Sequence, residues 1–566
     1  MDSLLQPLLE HPGDPSVLRV LSDALLEQAD PWGEAIRLAL DLERTFRGED
    51  AHRLGHRRLT RLLARHGSSW RGRVRDALPQ PMRAPVGMFR AIPSKVNSSD
   101  SQVATLLEGP VAWLDYTGEA GTSLVPTFPR RAGLVRVEVS QYAHAVNGRK
   151  LLGPGLRSLT SLSMPWNGDL TLQFLEEATW TAQLERLRLF GNETAVTPVQ
   201  LDRLMKLPLP TLRTLELEGL ALGQPGAERL TAMPWKLERL TLAGANLGVK
   251  GTVTLANSKV LSTVRELSLS RNTMGPTGAA ALATSPHLSQ VVFLDLSSTA
   301  SGGKSLAPFF EGLALPQLKA LAIASCGLKG KAIEPLAGAK SKALSQLTEL
   351  DLAHNLMGDD GLAMLSKSTV LTGVRVLELT GNALKGSGLA ALGQAALIQE
   401  VEELSLGHNK FQNTGAKGLA ASKKVGALKV LSLGHNWLGV QGLKAMLKNP
   451  ALSGLEEVRE GMNNYVAELG RSFISSKTLK LWTLGLGPET TTAVLEELLA
   501  SARLATLELL SLYCQAFDDR LADLLVKGPL AKATTTVLVS RVWCRQLTDA
   551  GAGQLTSVLG PRVSFD

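Results

Sequence analysis

The residues able to do chemistry are few and scattered. Gly302 to Ser305 read GGKS, the closing residues of a loop that cradles phosphate on backbone N–H groups, but Ser298 stands where such a loop requires its first glycine. His354, His408 and His435 each stand directly before an asparagine, and imidazoles stacked in consecutive repeats can hold a metal. No third ligand shares their register. Cys514 and Cys544 share another register, which would set them about 5 Å apart at the spacing of neighbouring strands. Three cysteines in 566 residues make no disulfide framework, so these two read as reduced thiols. The sequence holds no metalloprotease helix motif, no nucleophile elbow and no paired CxxC. Acids scattered along a strand are not an acid–base pair. The expectation is a protein that is not an enzyme, with no catalytic residue, no metal and no cofactor.

These residues sit on a unit that the chain builds many times over. Leu347 to Leu365 reads LTELDLAHNLMGDDGLAML. Alternation at Leu350 and Leu352 fits a short half-buried strand, and Leu362 and Leu365 have helical spacing. One such unit cannot bury both apolar faces, whereas stacked copies bury a continuous core. The first strand leucine or its apolar substitute falls at Leu134, Leu159, Leu184, Leu212, Leu237, Val264, Val291, Leu318, Leu347, Val374, Val401, Leu428, Leu455, Leu481, Leu507 and Val537. A degenerate copy precedes them at Val111. The spacing from Val111 on is 23 to 30 residues and most often 27.

An asparagine follows half of the strands at a fixed place: Asn167, Asn192, Asn272, Asn355, Asn382, Asn409, Asn436 and Asn463, with Cys326 in the same register. A buried amide there satisfies backbone groups of the turn leaving the strand. Asn192, Asn272, Cys326, Asn355, Asn382, Asn409 and Asn436 are thus expected to form a structural ladder. Leu220, Ala245, Thr299, Glu489, Gln515 and Arg545 break the pattern, so distortion is expected at those turns.

On these residues the chain resembles the leucine-rich repeat, and its 27-residue GxxG[AL]xxL form resembles the ribonuclease-inhibitor type. That resemblance implies an α/β solenoid of about 16–17 repeats over residues 111–566, with parallel strands on a concave face and helices on the convex one. Strands about 4.8 Å apart backed by helices 8–10 Å apart must curve, so a horseshoe is expected.

Residues 1–80 read as a separate all-α domain. Asp14-Pro15 and Asp30-Pro31 each place an N-cap acid before proline at the first helical position. The stretch DALLEQADPWGEAIRL, Asp23 to Leu38, resembles the bacterial repeat-companion domain, whose core reads roughly DWLEERGDPRGEFIRL and which is found ahead of leucine-rich repeats. Asp30, Pro31, Gly33, Glu34, Ile36 and Arg37 match it; Ala24, Leu25 and Ala35 depart from it. Capping and helix-dipole roles are expected for Asp30 and Glu34. Residues 81–110 read as a linker and N-terminal cap, with Val86 to Ile92 as its strand.

Function on such a scaffold belongs to the outward residues that alternate with the buried leucines. Early repeats offer Arg136, Glu138, Arg186, Arg188, Phe190, Glu216, Glu218 and Arg239; middle repeats an acidic stripe including Glu266, Asp295, Glu349, Asp351, Glu378 and Glu403; the last repeats Tyr513, Arg541 and Trp543. A second middle column is small, running from Ala243 to Gly434. Aromatic and arginine anchors dominate interfaces, which points to Trp166, Phe190, Tyr513 and Trp543, with the acids steering a basic partner. The partner-binding set is Arg186, Arg188, Phe190, Glu349, Asp351, Glu378, Glu403, Tyr513 and Trp543.

Ten arginines between Arg44 and Arg75, against Glu49 and Asp50, account for the whole net charge of +8. Interleaved with Leu59, Leu62 and Leu63, they read as a solvated helix face, and nucleic acid is not the expected partner. The start MDSLLQPLLEHPGD lacks a basic segment followed by an apolar one, and no stretch approaches 18 uninterrupted apolar residues, so a cytoplasmic protein without membrane insertion is expected. The reading is a protein-binding scaffold with one or more protein partners. Two alternatives stand beside it: a regulator of a small GTPase or other enzyme, since the Ran GTPase-activating protein looks like this repeat type, and a recognition protein of a bacterial defence or signalling system.

Overall fold

The computed structural model describes residues 15–77, 90–91, 113–116, 136–139, 159–178, 180–299, 303–459, 466–475, 480–488 and 490–565. Asp14, the residues Val111 and Leu134 that begin the first two copies, the cap strand other than Arg90 and Ala91, Gly302, Asn463 and Glu489 lie outside the described residues. The chain forms two compact units, Met1–Ala300 with Gly312–Ala320, and Ser301–Glu311 with Leu321–Asp566.

The first unit opens with helices α1 (Pro15–Glu27), α2 (Pro31–Leu42) and α3 (Asp50–Ala77). Asp30 caps α2, its carboxylate accepting from Trp32 N at 3.0 Å, and Pro31 occupies the first turn where no N–H is needed. Leu18, Leu21, Leu25, Trp32, Ala35, Ile36, Leu40 and Leu62 form one core among the three helices. Gly33 lets α1 and α2 touch: the Ser22 hydroxyl donates to its carbonyl at 2.7 Å, and a Cβ there would stand 2.6 Å from the Ser22 carbonyl oxygen. Glu34 takes the Arg58 guanidinium in a fork at 2.7 and 2.8 Å, which holds its carboxyl below the usual range. The arginines of α3 thus serve partly as ties within the helical region.

Behind them the strands β1 (Arg90–Ala91), β2 (Trp113–Tyr116), β3 (Arg136–Val139), β4 (Ser161–Pro165), β5 (Arg186–Ala195), β6 (Thr214–Ala221), β7 (Arg239–Thr241), β8 (Glu266–Ser268) and β9 (Phe293–Asp295) pair in parallel and in chain order. Strand β10 (Ala320–Ala322) falls at the division between the units. In the second unit β11 (Glu349–Asp351), β12 (Val376–Glu378), β13 (Glu403–Ser405), β14 (Val430–Ser432) and β15 (Glu457–Arg459) continue the pattern. A separate parallel sheet holds β16 (Thr483–Leu486), β17 (Leu509–Leu512), β18 (Thr536–Val539) and β19 (Val563–Phe565). Among the described residues no helix is long and apolar enough to cross a membrane.

The repeat around β11 shows how each residue type is used. Leu347, Leu350 and Leu352 are fully buried, and so are Leu362 and Leu365 on the helix Gly358–Leu365. Gly358 turns the chain into that helix with φ +63°. Gly361 admits the neighbouring repeat, since a Cβ there would lie 3.1 Å from the Gly330 carbonyl oxygen.

The ladder supplies the polar half of the core. Asn355 Nδ2 donates to the carbonyls of Leu352 at 3.0 Å and of Ile323, one repeat back, at 2.9 Å, while its Oδ1 accepts from Cys326 N at 2.9 Å and Leu328 N at 3.2 Å. Asn382, Asn409 and Asn436 repeat the donor pattern, reaching back to Leu352, Leu379 and Leu406. In the first unit Asn272 reaches Leu242 and Leu269 in the same way.

Three sequence expectations are corrected. Asn192 is exposed and outside the ladder, because β5 runs on to Ala195, with a register shift between Phe190 and Thr194, and strand pairing takes over the backbone groups a ladder amide would serve. Trp166 is 3% exposed rather than an anchor, for it continues the inward alternation of Leu162 and Met164. In the last repeats Val537 pairs with Leu510, so it fills the second leucine place and not the first. Arg541 and Trp543 therefore lie in the turn after β18, where Arg541 pairs with Asp549 at 2.7 Å, and the outward residues of β18 are Thr536 and Leu538.

The thiols have an unforeseen use. Cys514 Sγ donates to the Leu486 carbonyl at 2.9 Å and Cys544 Sγ to that of Leu512 at 3.4 Å, the backward reach that the asparagines make elsewhere. Both are buried and outside any disulfide, and burial, then the neighbouring Cys544 sulfur, push the Cys514 thiol up to about 12. A second set of ties was also missed. Asp359 accepts from Lys385 N at 2.7 Å and Ser387 N at 3.0 Å, Asn413 from Gly439 N at 3.0 Å and Gly442 N at 2.9 Å, and Asp519 from Thr548 N at 2.8 Å. One register position thus caps the helix of the following repeat.

Candidate partner-binding face

Parallel pairing in one register, which β5 and β6 keep up to Phe190, turns outward residues into rows. Across β5 to β9 the first row is Arg186, Thr214, Arg239, Glu266 and Phe293, and the second is Arg188, Glu216, Thr241, Ser268 and Asp295. Phe190 faces Glu218 one step further on. The Arg188 guanidinium lies 4.8 Å from the Phe190 ring centroid and binds Glu218 at 2.5 Å and Glu216 at 3.5 Å. Arg186, Arg188 and Phe190 are therefore brought together, with the charge of Arg188 met by acids of the next strand.

The chain itself occupies part of the first row. The loop between α2 and α3, residues 43–49, lies on it. Phe46, 4% exposed, is covered by two guanidinium groups, Arg265 at 3.9 Å and Arg239 at 4.5 Å from its ring centroid. Arg239 also donates to the Thr45 carbonyl at 2.8 Å and pairs with Glu266 at 2.8 Å, while Arg265 pairs with Glu49 at 2.7 Å. Arg47 N donates to Glu266 Oε1 at 2.9 Å, and its guanidinium stands 4.6 Å from the Phe293 ring centroid. Gly48, with φ +87°, crosses so close that a Cβ would stand 2.7 Å from Lys319 Cβ and 3.0 Å from Ala320 N. Beside the loop a cavity of about 470 Å³ separates α2 and α3 from the strands, lined by Ala39, Leu42, His52, Arg186, Glu216 and Thr241 among others. The early face, expected to be free, is partly filled by this chain's own helical region. No periodicity in the sequence announces the contact; a lone phenylalanine in the polar stretch ERTFRGED was its one sign.

In the second unit the first row is Glu349, Val376, Glu403, Val430 and Glu457, and the second is Asp351, Glu378, Ser405, Ser432 and Arg459. Glu349, Asp351, Glu378 and Glu403 thus gather on three adjacent strands. Asp351 accepts from Ala353 N at 2.9 Å and Glu378 from Thr380 N at 2.8 Å, so both also brace the chain leaving their strands. Glu349 is 8% exposed, which leaves Asp351, Glu378 and Glu403 as the more accessible acids. Tyr513, half-buried just past β17, and Trp543, 45% exposed in the turn after β18, follow strands of the other sheet and do not join this acidic group. His408 and His435 stack with centroids 4.1 Å apart, and among the described residues no group of three metal-ligating side chains is assembled. Gly303–Ser305 is a single 3₁₀ turn. A surface unforeseen from sequence lies at Trp437, 68% exposed with φ +53°, next to the Lys410 ammonium at 5.9 Å from its ring centroid.

The architecture these elements define is a leucine-rich repeat solenoid of mixed α/β class preceded by an all-α region. Residues 260–283, 344–366, 400–420 and 428–447 match the family model of the leucine-rich repeat. No curated protein matches the chain. Among solved structures, an internalin (inlF) of Listeria monocytogenes is similar over 63% of this chain and 82% of its own, at 16% identity and a TM-score of 0.33. The yeast Rad7 and Elc1 complex is similar over 75% of this chain and 88% of the matched one, at 15% identity and a TM-score of 0.39.

Proposed function

We propose that this chain is a non-enzymatic, cytoplasmic scaffold that binds proteins on the strand face of ribonuclease-inhibitor-type repeats. The observation that carries the reading is the loop of residues 43–49. The face holds a stretch of polypeptide by aromatic, ionic and backbone contacts, the same contacts by which one protein grips another. A packed repeat core keeps that surface preorganised, so little entropy is lost on docking. In this reading residues 1–80 are a helical domain of bacterial repeat-companion type, 81–110 a linker and 111–566 the binding solenoid. The acids Asp351, Glu378 and Glu403 favour a basic partner on the second unit. Affinity capture with the intact chain and with Glu349→Lys/Asp351→Lys/Glu378→Lys tests this: a stoichiometric basic protein lost in the variant is the expected result. Equal recovery of every protein by both baits would refute a site on these strands.

A further inference from the structure

We propose that the cluster of Arg239, Arg265 and Glu266 is a receptor for one kind of peptide, an aromatic residue followed three positions later by an acid. In this account the loop of residues 43–49 is a tethered occupant that a partner segment of that chemistry displaces. The inference rests on the binding-scaffold reading above and adds the identity of what the face selects. Its basis is the division of labour in the contact. Phe46 supplies the ring that Arg239 and Arg265 cover at 4.5 and 3.9 Å, and Glu49 supplies the carboxylate that Arg265 binds at 2.7 Å. The same carboxylate accepts from Phe46 N at 3.0 Å, which folds ring and acid into one compact turn. Glu266 takes a backbone N–H, so it reads main chain and not sequence.

The occupant is built to leave. Phe46 is no part of the core that α1, α2 and α3 share, so the helices keep their own packing when the ring is withdrawn. The Arg265–Glu49 pair is only half-buried, its side chains 38% and 31% exposed. The neighbouring cavity of about 470 Å³ gives an incoming side chain room beside the loop.

The test uses the full chain and a labelled synthetic peptide of residues 42–52, LERTFRGEDAH. Phe46→Ala/Glu49→Ala withdraws the ring and the carboxylate and leaves their places open, and the peptide is expected to bind this variant. A tether at about millimolar effective concentration should weaken binding to the intact chain by roughly 10- to 100-fold for a peptide of ~10–100 μM affinity. Adding Arg239→Ala/Arg265→Ala should abolish binding, as should replacing the peptide's phenylalanine by alanine. On the unaltered chain, excess peptide should speed hydrogen exchange at Arg47 N, which docking protects, so the test survives a variant that fails to fold. A folded, emptied variant that ignores the peptide, or Arg47 exchange indifferent to it, overturns the proposal. Peptide-display selection on the emptied variant separates the two levels of the argument. Enrichment of aromatic-x-x-acid sequences supports the receptor. Other sequences that depend on Arg239 and Arg265 overturn it and leave the scaffold reading standing, and no enrichment on the face overturns both.

Discussion

Replacing Asn382 by alanine isolates what one rung of the ladder contributes. Asn382 is fully buried; its Oδ1 accepts from Asn355 N at 3.2 Å and Met357 N at 3.4 Å, and its Nδ2 donates to the carbonyls of Leu352 at 2.9 Å and Leu379 at 3.0 Å. The two carbonyls keep a second donor each, from Asn355 and Asn409. The two N–H groups do not have that reserve in the ladder. Two buried donors left unpaired at about 1–3 kcal/mol each put the loss near 3 kcal/mol, the upper range for one substitution. Hydrogen exchange is the sharper assay, because a solenoid can open locally without unfolding as a whole. Amides of Asn355 and Met357 should exchange about 100-fold faster, the equivalent of ~3 kcal/mol in local opening. Amides of Asn382 and Leu384, which Asn409 accepts, serve as the internal control. A urea midpoint lowered by less than the equivalent of about 1 kcal/mol, with unchanged exchange at Asn355 and Met357, would refute the account of the ladder.

Three further outcomes follow from features described above. Burial works against the charge of Asp359, but the Ser387 hydroxyl and the N–H groups of Lys385, Gly388 and Ser387 outweigh it and hold its carboxyl below the ordinary range. Asp359→Ala should therefore cost about 1 kcal/mol at neutral pH, as loss of a helix cap does. A depressed folded-state value means that this contribution is present above the unfolded value near 4 and disappears as pH falls through the folded one; equal costs at both ends in urea titrations would exclude the cap. Gln412 stands in the register of Gly358 with φ +50°, so Gln412→Gly should raise stability by about 1 kcal/mol in the same assay, and a loss would contradict the strain. Cys514 should resist thiol reagents at pH 8 in the folded chain and react on denaturation; immediate labelling would contradict its burial and raised value.

Much of the architecture was legible because it is periodic. Leu350 and Leu352 had to face inward for any repeat to bury its apolar side, and every neighbour repeated the demand. Errors arose where local sequence imitated the period. Val537, read as a first strand leucine, draws the register of the last repeat three places late, which moves Arg541 and Trp543 onto a face they do not occupy. Asn192 had the ladder's identity but not its backbone, because β5 continues where other strands turn. Cys514 does a rung's work one residue early and Cys544, once Val537 is set opposite Leu510, two residues late, and both escaped notice for that reason. The Phe46 contact joins residues about two hundred positions apart with no recurrence to betray it. Contacts made once have no signature in a pattern of repeats.

The ladder also decides how the second unit carries load. Its bonds run from one repeat to the next, so tension directed from β11 towards β19 loads them in series, and a series yields at its weakest member. From Cys326 through Asn355, Asn382, Asn409 and Asn436 each link engages an amide with two donors and an acceptor. Beyond them the links at Cys514 and Cys544 rest on thiols, which are feeble donors. Pulled lengthwise, the asparagine stretch is braced twice over, by its amides and by its strands, whereas the last repeats depend mainly on the pairing of β16 to β19.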